Sequence, residues 1–292
     1  MEPRFRFTSG KISIIRKSSR VLLILMLFSG NLPFAWAKAV FSVPQKDTLL
    51  IRGAQHLSLT RQGQVLVSDN RSTIFLLDSL GTILFRFSPR RPGAVHLIEA
   101  WNGLRHLVFY RDFQEFALLD RFLLSEGPSL LQTEKTGYVR LLAPALDGNL
   151  WALDESNFQL RKIETQSQNT LFSTPLDLIL SGNRYDLSFM REYQNQLYVA
   201  DRQGSVLVFD PMGNFRKKIP LLNCEWLGFW GEEVYASDGD TLRFFHPFQM
   251  KIRKQALPEA ARKSKKVLKM KSGLFWIAAD GLHRMNIPVR DP

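Results

Sequence analysis

Residues 197–219 read LYVADRQGSVLVFDPMGNFRKKI. A short apolar run, Leu197 to Ala200, is closed by Asp201. A polar turn leads into a second run, Val206 to Phe209, closed by Asp210, and Gly213 introduces a third, Phe215 to Ile219. Apolar runs of four to six residues punctuated by Asp, Gly and Asn are the pattern of short strands joined by tight turns. No 3.6-residue periodicity competes with it.

The unit recurs. Runs ending in aspartate occur at GQVLVSD (Asp69), GLRHLVFYRD (Asp112), GNLWALD (Asp154), NQLYVAD (Asp201), GEEVYASD (Asp238) and SGLFWIAAD (Asp280), at steps of 43, 42, 47, 37 and 42 residues. A further strand follows each aspartate: TIFLLD, EFALLD, QLRKI, SVLVFD, TLRFFH and LHRMN. Another often comes after that, as in TILFRF, RFLLS, TLFST, NFRKKI and MKIRK. One more precedes each unit: HLSLT, HLIEAW, RLLAPA, DLSFM, EWLGFW and VLKMK. Four short strands per unit describe a propeller blade. The sixth unit stops near Asn286, and a spare strand-like segment, AVFSV (39–43) or TLLIRG (48–53), lies at the other end. The expectation is an all-β, six-bladed β-propeller of four-stranded blades, its last blade closed by an N-terminal strand so that no sheet edge is left open. In period and strand pattern, over roughly residues 39–288, the chain resembles the NHL/YWTD-like group of six-bladed propellers. The Trp-Asp dipeptide of WD40 repeats is absent.

Asp69, Asp112, Asp154, Asp201, Asp238 and Asp280 recur once per blade. That repetition suits hairpin capping, in which the carboxylate accepts turn N–H groups two residues on. Six equivalent catalytic acids would serve no reaction.

The N-terminus carries Arg4, Arg6, Lys11, Arg16, Lys17 and Arg20, then the apolar run VLLILMLF (21–28), then Ala35-Trp36-Ala37. A charged start, a short apolar centre and a small-residue exit describe a secretory signal peptide over residues 1–37, followed by one propeller domain over 38–292. The eight-residue run is far shorter than the roughly 20 residues that span a bilayer. No other segment is long enough, so the mature chain is expected to carry no transmembrane segment and to reside in the periplasm or outside the cell. The chain has a formal net charge of +12, and residues 38–292 keep 33 basic residues against 26 acidic ones. That excess is too modest to suggest a nucleic-acid partner. Cys224 is the single cysteine, which excludes an intramolecular disulfide and a cysteine-based zinc site. A closed propeller needs no second copy, and a monomer is expected.

Propeller ligands usually meet the central channel or the face bearing the inter-blade loops. Aligning the innermost strands at their first apolar residue puts His56, His96, Arg140, Asp186, Glu225 and Lys266 at the channel mouth. Each stands 13 to 16 residues before its blade's aspartate. In this register Arg140 neighbours Asp186, Glu225 neighbours Lys266, and the two histidines are adjacent. One reading is a charge-balanced ring around a water-filled channel. The sharper one is a divalent-cation site built from His56, His96, Asp186 and Glu225, against which Arg140 and Lys266 argue by repulsion; otherwise no cofactor is expected.

The hairpin turns of the same face present Asn70, Arg71, Arg111, Glu155, Arg202, Gln203 and Asp240. This mixed charge suits a protein or peptide partner, with Arg71, Arg111 and Arg202 as candidate contacts. The run KIRKQALPEAARKSKKVLKMK (251–271) has nine basic residues and one acid. Lys263 and Lys265 within it are candidates for an anionic lipid surface or an acidic partner. No nucleophile elbow, phosphate loop or H-E-x-x-H motif is present. His106, His246 and His283 share no spacing, and Cys224 reads as a buried, inert thiol. The preferred reading is a non-catalytic interaction or ligand-binding scaffold. The alternatives are a metal-dependent hydrolase of lactonase type at the channel mouth, and an envelope protein that binds glycan or anionic lipid.

Overall fold

The apolar runs of the repeat become strands, and the aspartate and glycine punctuation becomes turns. A computed structural model describes residues 47–91, 93–101, 105–180 and 185–286, all within one folded unit, Val43–Pro292. The signal peptide expected over 1–37, the domain start at residue 38 and the AVFSV segment lie outside the described residues.

Blade 1 is β2 (Ala54–Leu59), β3 (Val65–Asp69), β4 (Ile74–Leu77) and β5 (Ile83–Phe87). Blade 2 is β6 (Leu97–Glu99), β7 (His106–Tyr110), β8 (Glu115–Leu119) and β9 (Ser125–Leu130). Blade 3 is β10 (Val139–Pro144), β11 (Leu150–Asp154), β12 (Gln159–Ile163) and β13 (Thr170–Pro175). Blade 4 is β14 (Leu187–Tyr193), β15 (Gln196–Asp201), β16 (Val206–Phe209) and β17 (Phe215–Ile219). Blade 5 is β18 (Gly228–Trp230), β19 (Glu233–Ser237), β20 (Thr241–His246) and β21 (Lys251–Ala256). Blade 6 is β22 (Val267–Met270), β23 (Gly273–Ile277), β24 (Gly281–Met285) and, as its outermost strand, β1 (Thr48–Arg52). Each blade is a four-stranded antiparallel sheet in simple up-and-down order. β1 pairs with β24 from Thr48↔Arg284 to Arg52↔Gly281, so the first strand completes the last blade.

The inner three strands of each blade are buried on both faces because every blade is sandwiched between two others; Val65–Val67 and Leu150–Leu153 are examples. That is why the sequence shows continuous apolar runs there rather than strict alternation. The outermost strands are exposed and carry the Lys and Arg of β17 and β21, with Pro128 in β9 and Pro175 in β13. Charge and proline on an edge discourage pairing with another chain.

In blades 1, 4 and 5 the turn between the third and fourth strands leans on the preceding blade, where a cation holds one of its carbonyls. Lys162 Nζ donates to the Pro211 carbonyl at 3.1 Å and Lys217 Nζ to that of Pro247 at 3.0 Å. Across the ring closure, Arg284 Nε and the Ser272 hydroxyl donate to the Ser79 carbonyl at 3.3 and 2.9 Å.

Four of the six repeat aspartates hold their turns by the expected bonds. Asp69 Oδ1 accepts from the N–H groups of Arg71 and Thr73, and Asp154 Oδ1 from Ser156 and Asn157. Asp201 accepts from Gln203 and also from Asp186, and Asp238 from Asp240 and Thr241. Asp112 and Asp280 depart from the pattern. Asp112 lies inside a single 3-10 turn, Arg111–Phe113, with its carboxylate 3.7 Å from His96 Nε2. The linking role there falls to Gln114, whose amide bonds both the N–H and the carbonyl of Val139 in blade 3. Asp280 is the third residue of the turn closed by Ala278 and Gly281, not the first as Asp238 is in its turn, and it accepts from His283 Nε2 at 2.7 Å. A second set of capping aspartates lies between the third and fourth strands. Asp78, Asp120 and Asp210 each accept the N–H groups two and four residues on, at 2.8–2.9 Å.

Candidate functional site

Each innermost strand starts on the face that bears the inter-blade loops and the second-to-third strand turns, so all six mouth candidates lie on that face. They do not share one register. Asp186 and Lys266 each stand one residue before their strand, their carbonyls accepting from Arg202, just beyond β15, and from Ile277, the last residue of β23. Arg140 is the extra residue of a bulge between Val139 and Leu141, and His56 follows a bulge that begins at Ala54. A bulge adds a residue and re-aims the side chains beside it.

His56, His96, Glu225 and Lys266 line a mouth cavity of about 80 Å³ together with Arg202, Ser188, Phe189 and Trp226. Metabolite pockets usually run to several hundred Å³, so this cavity suits the end of a side chain or a few waters. His56 is bonded through Nδ1 to the Ser68 hydroxyl at 3.1 Å. Burial above all, with Lys266 and His96 adding to it, pushes the His56 pKa down to about 3, so the imidazole is neutral at physiological pH. The Lys266 ammonium donates to the Gln55 carbonyl at 2.9 Å. Burial lowers its pKa, Arg202 pushes the same way, and Glu225 opposes them.

Asp186 stands outside this cavity, in a chain of alternating charges that runs over blades 3 to 5. Arg140 pairs with Glu155 at 3.0 Å and with Asp186; Arg202 pairs with Asp186 at 3.0 Å and with Glu225 at 3.8 Å. Lys265, rather than Lys266, makes the closer ion pair with Glu225, at 3.4 Å. Arg202 stands between the two carboxylates expected to join a cation site, and no group of three or more His, Cys, Asp or Glu among the described residues is placed to hold a metal ion. Arg71 is exposed in the blade 1 turn, Arg111 lies 4.0 Å from Asp112, and Lys263 and Lys265 are exposed between blades 5 and 6. The basic run 251–271 is therefore divided: β21 climbs the outer edge of blade 5, and only the part after Ala256 reaches the mouth face.

Sequence reasoning missed what lies beneath the cavity. Arg191 of β14, fully buried, reaches across the axis to Glu99 of β6 at 2.8 Å and to the Ser58 hydroxyl of β2 at 3.0 Å. Ser58 donates to Glu99 at 3.0 Å, and Glu99 also accepts the N–H groups of Ala100 and Trp101. The guanidinium lies 5.2–5.9 Å from the rings of Phe189, Trp226 and Phe229. An ion pair and aromatic rings thus close the channel where a water-filled bore was expected. The available signal was a charge inside the otherwise apolar segment HLIEAW, and the Arg-Glu pair that follows DLSFM in an inner strand.

No protein-family model and no curated protein sequence matches the chain. Solved structures do. Virginiamycin B lyase from Staphylococcus aureus superposes with a TM-score of 0.54 at 13% identity, over 80% of each chain. The Cps50 (Swd1) β-propeller domain of Myceliophteria thermophila gives 0.53 at 16%, over 80% of this chain and 82% of that one. YCF48 bound to D1 peptide gives 0.52 at 13%, over 84% and 97%. At these identities the likeness extends to the propeller fold and no further.

Proposed function

We propose that this protein is a non-catalytic propeller scaffold that binds a protein or peptide partner on its mouth face. The observation that carries this reading is the chain of paired charges Glu155, Arg140, Asp186, Arg202, Glu225 and Lys265, flanked by exposed aromatic rings. Tyr185 is stacked on Phe158 at 4.3 Å, and Tyr138 lies exposed beside Arg140. Arginine and tyrosine held in place by neighbours are the residues that dominate protein interfaces, since little side-chain entropy remains to be lost on binding. Charges of alternating sign fix the register of a partner more than its affinity. One of the structurally similar propellers is bound to a peptide. The N-terminal pattern supports export through a signal peptide and residence in the periplasm or outside the cell, and the repeat pattern supports kinship with the NHL/YWTD-like group.

A photo-crosslinking residue at Tyr185 is expected to trap a discrete partner in the native cell, and Arg202→Glu is expected to abolish the product. The same probe at Leu171, on the exposed outer edge of blade 3, should trap none. Equal products at both positions would remove the mouth face from the proposal. A stoichiometric divalent metal in the purified protein, lost on His96→Ala, would favour the hydrolase reading instead.

A further inference from the structure

We propose that the rim opposite the mouth is a membrane-docking surface, on which four apolar turn tips, Leu80, Phe122, Met212 and Phe248, enter the interface of an anionic bilayer.

All four occupy one position of one repeated turn, that between the third and fourth strands. In blades 1, 2 and 4 the capping aspartate accepts the tip's own N–H: Asp78 from Leu80, Asp120 from Phe122 and Asp210 from Met212. In blade 5 the ring of His246 takes that place and accepts from Phe248 at 3.4 Å. The tip is thus pinned by its backbone while its side chain projects. Leu80 is 64% exposed, Phe122 45%, Met212 58% and Phe248 74%. Turn positions in water ordinarily take polar residues, and four large apolar ones at the same place form a pattern rather than scattered exposure. Two of them have apolar company: Phe85 packs edge-on against Phe122 at 5.5 Å, and Met250 follows Phe248 on the same turn, also exposed.

The occupant follows from placement and charge. In a closed ring of six, blade 1 faces blade 4 and blade 2 faces blade 5. The tips therefore form two pairs at opposite ends of a diameter. A flat, deformable surface meets both pairs at once, whereas a convex protein meets one. Cations accompany both pairs: the Arg121 guanidinium lies 4.6 Å from the Phe122 ring, Arg216 is held by Asp210 next to Met212, and Lys251 is exposed next to Met250. Apolar tips with Arg or Lys beside each pair suit a surface that lies in an anionic membrane interface. Docking on this rim leaves the mouth face turned away from the lipid and open to a partner.

The test uses the full chain with a single environment-sensitive fluorophore on Leu80→Cys, Phe248→Cys or, on the mouth face, Arg71→Cys. The native Cys224 is buried, its thiol pushed up to about 11 chiefly by that burial, and it does not compete for label. With vesicles of phosphatidylglycerol and phosphatidylcholine that carry a nitroxide lipid, the two tip reporters should be quenched and the Arg71 reporter should not. Because the reporters read which face lies against lipid, tethering through another segment does not mimic this result. Adding Phe122→Ser and Met212→Ser should weaken vesicle binding by about tenfold for each tip pair disrupted, with an unchanged thermal melt. Absence of tip quenching, equal quenching at Arg71, or quenching indifferent to the serine substitutions would overturn the proposal. So would concentration-dependent tip-to-tip crosslinking lost in the same variants, which would assign the rim to a second copy of this chain.

Discussion

His56 shows how the surroundings of one side chain set its charge. The imidazole, half-buried at the wall of the mouth cavity, is bonded to Ser68 and faced by Lys266, so a proton on it would be both desolvated and repelled. Its folded-state pKa of about 3 lies below the ordinary value of 6.5. Between those two pH values the unfolded chain binds a proton that the folded chain does not. Stability therefore rises with pH across this window and is lost as the pH falls toward 3. His106 acts in the same direction: burial lowers its pKa, and among the described residues neither ring nitrogen has a hydrogen-bond partner. His283 acts in the opposite direction. Burial pulls its pKa down, but bonds to Asp280 and Asp47 raise it overall, so its contribution is present below pH 6.5 and fades as the pH rises through the raised value. The ring-proton shifts of His56 should stay constant from pH 8 to 5. The urea midpoint should fall on acidification below 6.5, with each buried histidine contributing a slope of up to about 1.4 kcal/mol per pH unit. His56→Gln should flatten that fall; an unchanged slope would mean that the histidine is protonated in the folded protein.

At the scale of the strand and its turn, capping separates aspartates that look alike in the sequence. Asp210 is buried and accepts two backbone N–H groups, the Asn214 amide and the Arg216 guanidinium. Asp210→Ala should therefore destabilise the protein by about 1.5–3 kcal/mol. Asp112, exposed and without a turn N–H, should tolerate the same change to within about 0.5 kcal/mol. Paired denaturation curves decide between this contrast and equal effects. The six blades and their strand order were legible because each is written in local pattern, an apolar run followed by Asp or Gly. The identity of the capping residue in blade 2 was not, because Gln114 takes that role at φ +50, a backbone state that spacing does not announce. The mouth register was not legible either. The bulges at Ala54, Val139 and Leu187 each insert a residue that alignment on the first apolar position cannot see. The Arg191–Glu99 pair joins positions 92 residues apart, and only the fold brings them together.

For the whole molecule, the ring depends on β1 filling the outer position of blade 6. Without Thr48–Arg52 the edge of β24 is open, and an open edge invites pairing between molecules. A chain lacking these residues should aggregate on light scattering, and a peptide of sequence TLLIRG supplied in trans should suppress it. A monodisperse truncated protein would show that the closure is dispensable. The same arrangement orders events in time. Among the described strands, the first in the chain is joined to the last, with Asp47 and His283 in contact 236 residues apart. A nascent chain cannot fasten that joint until β24 has left the ribosome. Ring completion is therefore a late, long-loop step, slow by the measure of contact order.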